Sequence, residues 1–220
     1  MFQDENKNTI GTDEVGTGDF FGPIVVCGVY LTSSEHLFWQ NSGVKDSKIL
    51  SQSSIYKIAS LAIKKLPYYC YVLRPKVYNN LIKRCNLNQI KALLHNEVIL
   101  KMLTKIKKID FVVLDQFTSV KNYFAYLKDR TKVHKDIQFT TKAESKYLSV
   151  ALASIISRYV FLEEIKKLRK DIKFPLKLGA GSLVDQQIQQ LYQEKGLSIF
   201  FNIAKCNFKN FQKNIKMNKK

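Results

Sequence analysis

Apolar and polar positions in this chain follow two periods, one of about two residues and one of about 3.6, and the segments that carry them alternate. Thr9 to Val15 reads as a first strand, and a second apolar run follows a glycine-rich turn, from Pro23 to Leu31. Ser51 to Leu66 has helical spacing. Ile55, Ile58, Leu61 (or Ala62) and Ile63 fall mostly on one face, Lys57, Lys64 and Lys65 surround it, and Pro67 stops it. Ser51 is placed to cap that helix. Tyr68 to Leu73 is rich in aromatic and branched residues and predicts a strand, which Arg74-Pro75 punctuates. A long helix over Asn88 to Lys108 has Ile90, Leu93, Leu94, Val98, Met102 and Ile106 as its apolar stripe. Asp110 to Asp115 (DFVVLD) is a short apolar run ending in a carboxylate, the pattern of a central buried strand. A helix near Val120 to Asp129, a short strand over Ile137 to Thr141 and the longest helix, Ser145 to Leu168, come next. Phe174 to Ser182 is loop-like, and one more helix fits Val184 to Glu194. Strands that first group as a hairpin and then alternate with helices predict an α/β fold, a mixed sheet with helices packed on it.

The length of 220 residues fits one large domain, or one domain with a small appendage, and 45% hydrophobic residues suffice for a sizeable core. No apolar run reaches the ~18 residues of a membrane span. MFQDENKNTI lacks the apolar centre of a secretory signal. Cys27, Cys70, Cys85 and Cys206 are scattered without a C-x-x-C pair, so neither a disulfide framework nor a zinc site is expected. Cys27 reads as plain core, and a reducing cytoplasm is the default location. Charge changes the picture more. Lys and Arg number 36 against 18 Asp and Glu, a formal +18, which fits a polyanionic partner whose counterions the bases release. The basic residues are spread along the chain, not gathered on one amphipathic helix, which favours nucleic acid over a membrane surface. The segment from Lys205 to Lys220 holds six lysines and no acid and reads as a partly disordered end.

Within that basic chain the acids are concentrated. Asp13 and Glu14 close the first strand, inside GTDEVGTGDFFGP. Neighbouring strand residues point to opposite faces, so both serve one site only if the strand ends or bends there. Asp115 closes the second buried strand, and ligands of α/β sheets gather at such edges. Glu144 precedes the long helix at Ser145, where the helix dipole favours an anion. Oxygen ligands of this kind suit Mg2+ or Mn2+, and two ions about 4 Å apart would serve in-line displacement at a phosphodiester. Gly16-Thr17-Gly18 would let backbone N–H groups approach an anion or the 2′-hydroxyl of RNA. Ser47 and Lys48, in KDSK, offer a hydroxyl and an ammonium to phosphate.

GTDEVGTGDFFGPIVV, KDSK, VVLDQF, KAES-KYLSVALASIISRY and FPLKLGAG together resemble ribonuclease HIII, from Gly11 to about Asn210. Thr17, where the related ribonuclease HII carries arginine, and Glu144, where that type usually carries Asp, point to type HIII. The resemblance implies a ribonuclease H-like fold with a five-stranded mixed sheet, flanking helices and a C-terminal helical extension. It implies a metal site at Asp13, Glu14, Asp115 and Glu144. It also implies sugar-edge contacts from Gly16, Thr17 and Gly18, and phosphate contacts from Ser47 and Lys48. The implied reaction is two-metal cleavage of RNA in RNA–DNA hybrids by a monomer away from membranes, leaving 5′-phosphate and 3′-hydroxyl ends.

On this reading residues 1–10 are a short lead, 11–204 the catalytic domain and 205–220 a basic tail, without the N-terminal substrate-binding domain common in the family. Incision at single ribonucleotides in DNA is the near alternative, and a non-catalytic hybrid-binding module the distant one. His36, His95, His134 and Asn207 receive no role, and Trp39 reads as loop packing.

Overall fold

The computed structural model describes residues 2–44 and 49–217, so Ser47 and Lys48 lie outside the described residues. The strands are β1 (Thr9–Val15), β2 (Ile24–Leu31), β3 (Tyr68–Leu73), β4 (Phe111–Asp115) and β5 (Ile137–Thr140). The helices are α1 (His36–Asn41), α2 (Gln52–Lys65), α3 (Pro75–Leu81), α4 (Leu87–Lys105), α5 (Val120–Tyr126), α6 (Leu148–Ile172), α7 (Ser182–Lys195), α8 (Phe200–Ile203) and α9 (Lys209–Met217). They fall into two compact units. The first takes Met1–Glu14, Val25–Tyr71 and Leu87–Tyr159, the second Val15–Ile24, Val72–Asn86 and Val160–Lys220.

The sheet is five-stranded and mixed, in the order β3-β2-β1-β4-β5, so β1 is central. β1 runs parallel to β4, with Thr9 opposite Phe111 and Thr12 opposite Leu114. β4 runs parallel to β5, with Val112 opposite Ile137 and Asp115 opposite Thr140. In the first unit alternation along these strands serves two layers. Ile10, Val112 and Leu114 pack with Ala92, Ile99 and Met102 of α4 and with Tyr123 and Leu127 at α5. Val113 turns the other way, against Ala143, Tyr147 and Val150. Each such fully buried side chain contributes about 1.5–3 kcal/mol of burial energy. Gly11 brings α6 against the centre of β1, because a Cβ there would lie 2.3 Å from the Val150 amide nitrogen.

The start of α6 is held by a residue far away in sequence. The buried Asp4 carboxylate accepts N–H bonds from Leu148 (2.8 Å) and Ser149 (3.0 Å) and the Ser149 hydroxyl (2.9 Å). Thr9 Oγ1 donates to it at 3.2 Å, and His36 Nε2 lies 3.1 Å away. The carboxylate at the N-terminus of α6 is therefore Asp4, which the sequence reading left inside a short lead and which no local spacing marks.

Most expected elements occur with ends shifted by a few residues, and Ser51 does cap α2, accepting from Ser54 N at 3.1 Å. Four differences have physical causes. Arg74-Pro75 ends β3 as expected, but Pro75 also opens α3, a helix the sequence reading did not name, at a first-turn position where its missing N–H costs nothing. Trp39 is buried in α1, so packing is its role. Cys27 and Cys70 are joined as a disulfide between β2 and β3, a pair that 43 residues of separation hide from any spacing rule. The basic end is not disordered through Met217. In the second unit α9 buries Phe211 and Ile215, and its Asn210 and Asn214 amides donate to Asp185 Oδ1 of α7 at 2.6 and 3.1 Å. Apolar residues at i and i+4 outweigh the lysines there.

Elsewhere in the second unit, Lys205 is buried and donates to the Gly22 carbonyl at 2.7 Å. Burial lowers its pKa to about 7, against the pull of Asp19.

Candidate active site

The parallel register brings two acids together at one edge of the sheet. Thr12 and Leu114 are the last paired positions of β1 and β4, and Asp13 and Asp115 come one residue later on each strand. Asp115 Oδ1 accepts the Ala143 N–H at 2.7 Å. That bond pins the short 3-10 turn Ala143–Ser145, which follows Lys142 in the left-handed region (φ 54°), beside the end of β4. Glu144 sits in this turn and is buried. Three of the four expected acids thus come from segments that meet at one place. The reason for Glu144 is its hydrogen-bonded turn and not the dipole of α6, since Asp4 fills that end.

Asp13 and Glu14 follow the alternation of β1, which stays a strand through Val15 and does not bend between them. Asp13 lies on the α6 side, where it accepts the Ser154 hydroxyl and, at 2.8 Å, the N–H of Glu14. Glu14 lies on the α4 side with Thr12. There His95 Nε2 stands 3.0 Å from Glu14 Oε2, His95 Nδ1 stands 3.0 Å from Thr12 Oγ1, and Lys91 pairs with Glu14 Oε1. Phe117, two residues past Asp115, backs both side chains: Lys91 Nζ is 4.0 Å from its ring centroid, and the His95 ring stacks on it at 5.4 Å.

These surroundings drive the two neighbouring carboxyls apart. Burial, then the charge of Glu14 and further that of Asp115, push Asp13 up to about 8, against the Ser154 and Glu14 hydrogen bonds. Burial also raises Glu14, but the hydrogen bond and charge of His95 and the Lys91 ammonium outweigh it and hold Glu14 below the usual carboxylate range. Buried acids in mutual repulsion are the donor chemistry a divalent cation relieves, so the residues fit such an ion. As the side chains stand, the described residues include no group of three or more His, Cys, Asp or Glu disposed around one metal position.

Sequence reasoning missed Lys91 and His95. Their signal was their spacing of four on an apolar helix, which puts two polar side chains on a buried face. Of the other histidines, His36 serves Asp4, and His134 Nε2 meets the Asp136 carbonyl at 2.9 Å. In the second unit Gly16 has φ 91°, and a Cβ on it would lie 2.2 Å from the Pro23 carbonyl oxygen, so glycine is required. Thr17 and Gly18 form the turn that follows, and around Gly18 there is open space.

A five-stranded mixed sheet with carboxylates at the ends of its central parallel strands defines a metal-dependent nuclease of the ribonuclease H fold. The sequence model of the ribonuclease HII family matches residues 10–211, and the chain belongs to that family. Ribonuclease HIII of Phytoplasma mali is 51% identical over 207 residues, 94% of this chain and 72% of the relative. Ribonuclease HIII of Listeria monocytogenes is 40% identical over 219 residues, 98% of this chain and 71% of the relative. The crystal structure of Bst-RNase HIII in complex with Mn2+ superposes with a TM-score of 0.94 at 36% identity, covering 99% of this chain and 72% of that one. The type HIII resemblance is thereby borne out, and the chain is a metal-dependent endoribonuclease that hydrolyses RNA in RNA–DNA hybrids.

Proposed function

We propose that Asp13, Glu14, Asp115 and Glu144 are the catalytic carboxylates and hold Mg2+ or Mn2+. The observation that carries this reading is the β1–β4 register, which sets Asp13 and Asp115 one residue past the paired positions, with the turn of Glu144 hydrogen-bonded to Asp115. A divalent ion bound there supplies charge neutralisation and a metal-activated water to phosphodiester hydrolysis. The residues of the chain then have distinct parts. Asp13, whose ionisation burial and the neighbouring charges oppose, would give up its proton when an ion binds. Ser154 orients its carboxylate, and Lys91 and His95 keep Glu14 ionised and fixed in direction. Asp115 couples the end of β4 to the Glu144 turn through the Ala143 amide.

On the same reading Gly16, Thr17 and Gly18 contact the sugar edge of the RNA strand, and Ser47 and Lys48 contact phosphate. The products carry 5′-phosphate and 3′-hydroxyl ends. Residues 11–204 form the catalytic domain and 205–220 a basic appendage, and the enzyme works as a monomer in the cytoplasm. No described helix is long and apolar enough to cross a membrane.

Labelled RNA–DNA hybrid, single-stranded RNA and a DNA duplex with one ribonucleotide, each with Mg2+, Mn2+ or chelator, test the assignment. Metal-dependent cutting of the hybrid, lost in Asp13→Asn and Asp115→Asn, is the expected result. Retained cutting in Asp13→Asn would remove the proposed site. Preferred cutting at the single ribonucleotide would move the specificity toward the type HII habit.

A further inference from the structure

The connection from α5 to β5 forms a pocket of about 650 Å3 in the first unit. Lys128, Arg130, Thr131 and Lys135 line it together with the apolar Phe124, Leu127 and Val133. Asp129 and Asp136 stand beside these bases in sequence, yet no ion pair to Lys128, Arg130 or Lys135 occurs among the described residues. Three exposed cations that line one pocket without an internal counter-ion repel one another, unless an external anion offsets the charge. The end of α5 is not that anion, because the chain itself takes its carbonyls. Leu127 N donates to Phe124 O, Lys128 N to Ala125 O and Arg130 N to Leu127 O.

The rim of the pocket is also held in shape. Asn96 of α4 is buried, and its amide spans the loop, donating to Lys132 O at 3.0 Å and accepting from His134 N at 3.2 Å. A buried side chain that uses both ends of its amide on one surface loop fixes the backbone from which the bases project.

We propose that this pocket holds a backbone phosphate of the nucleic acid, away from the cleavage point. The inference rests on the hybrid as substrate, and its distance from the cleavage point rests also on the proposed acids. The sheet register gives its distance. Lys135 leads into Ile137, which lies opposite Val112, whereas Thr140 lies opposite Asp115. The pocket is therefore toward the other end of β5, at least about 10 Å from the acids at about 3.3 Å per residue. A phosphate held there lengthens the substrate footprint and leaves the chemistry alone.

The test compares Lys128→Ala/Arg130→Ala/Lys135→Ala with Lys57→Ala/Lys64→Ala/Lys101→Ala, which removes the same charge from exposed positions elsewhere. Binding of a hybrid is followed by fluorescence anisotropy in chelator, and cleavage with metal, over a range of salt. The pocket variant should weaken binding of long hybrids about tenfold or more, raise KM with kcat unchanged, and flatten the logarithmic salt slope by about 0.9 per phosphate released. Hybrids too short to reach from the acids to the pocket should show no difference. An equal loss in both triple variants, or none in the pocket variant, overturns the proposal. So does inorganic phosphate that binds the pocket without being displaced by long hybrid. If the wild type binds hybrid but does not cut it, the function reading fails, while the anisotropy still decides the pocket.

Discussion

Replacing Asp13 by Asn should make the metal-free protein more stable while it removes activity. In the unfolded chain Asp13 ionises near the ordinary 3.8, and in the folded protein near 8. Between those values the folded state binds the extra proton, so stability falls as pH rises, by about 1.4 kcal/mol per pH unit. By pH 7 the accumulated cost approaches about 4 kcal/mol, an upper bound because water and side chains relax around a buried charge. Asparagine keeps an acceptor for the Glu14 N–H and the Ser154 hydroxyl but carries no charge. Urea unfolding in chelator from pH 3 to 9 is the assay. The variant should exceed the wild type by about 2–4 kcal/mol at pH 7 and match it near pH 3, below both values. Mn2+ should then raise the stability of the wild type and leave the variant unchanged, since only a state that binds the ion gains from it. A variant less stable than the wild type at pH 7, or a difference independent of pH, would refute the argument that Asp13 is a charge held against its preference.

Three other perturbations probe the supports of the site. Lys91→Met leaves burial to act on Glu14 with only His95 against it, so the acid limb of the pH–rate profile should move up by about one pH unit or more, and an unmoved profile would deny Lys91 any part in holding Glu14 ionised. Asp4→Ala strips a buried carboxylate from two amides, two hydroxyls and His36 and should cost about 3–5 kcal/mol in urea unfolding, with Asp4→Asn recovering part of it; a loss below about 1 kcal/mol would mean that the start of α6 is held by other means. Gly11→Ala sets a methyl group against the backbone of α6, where no rotamer change can relieve it, and should destabilise by about 3 kcal/mol or more by the same measurement; a neutral result would show that α6 can move away from β1.

What could be read from the sequence is what local spacing encodes. The apolar run FVVLD, the stripe of α4 and the glycine-flanked Asp13-Glu14 pair announce a buried strand, a packed helix and a strand end, and the structure has each of them. The β4 carboxylate could be placed beside the β1 pair because strands of one sheet end at common edges. What could not be read is whatever one part of the chain does for a distant part. Asp4 caps a helix 144 positions away, Cys70 meets Cys27 across a strand pair, and Lys91 and His95 acquire meaning only once α4 lies along β1. Glu144 does lie in a turn hydrogen-bonded to the end of β4, but the helix-end position expected of it belongs to Asp4. The basic end misled because its six lysines are more conspicuous than Phe211 and Ile215, which fold it.

The alternation of β1 also separates the two halves of its acid pair thermodynamically. Asp13 answers to Ser154 on one helix, Glu14 to Lys91 and His95 on another, and the plane of the sheet stands between these supporting groups. These α4-side and α6-side supports therefore meet chiefly through the carboxyls, whose charges act on each other. Double-mutant cycles between the two sides measure that coupling. Two adjacent residues thus act as separately adjustable controls on one centre, and variants that shift the proton affinity of one carboxyl can be sought without redesigning the support of the other.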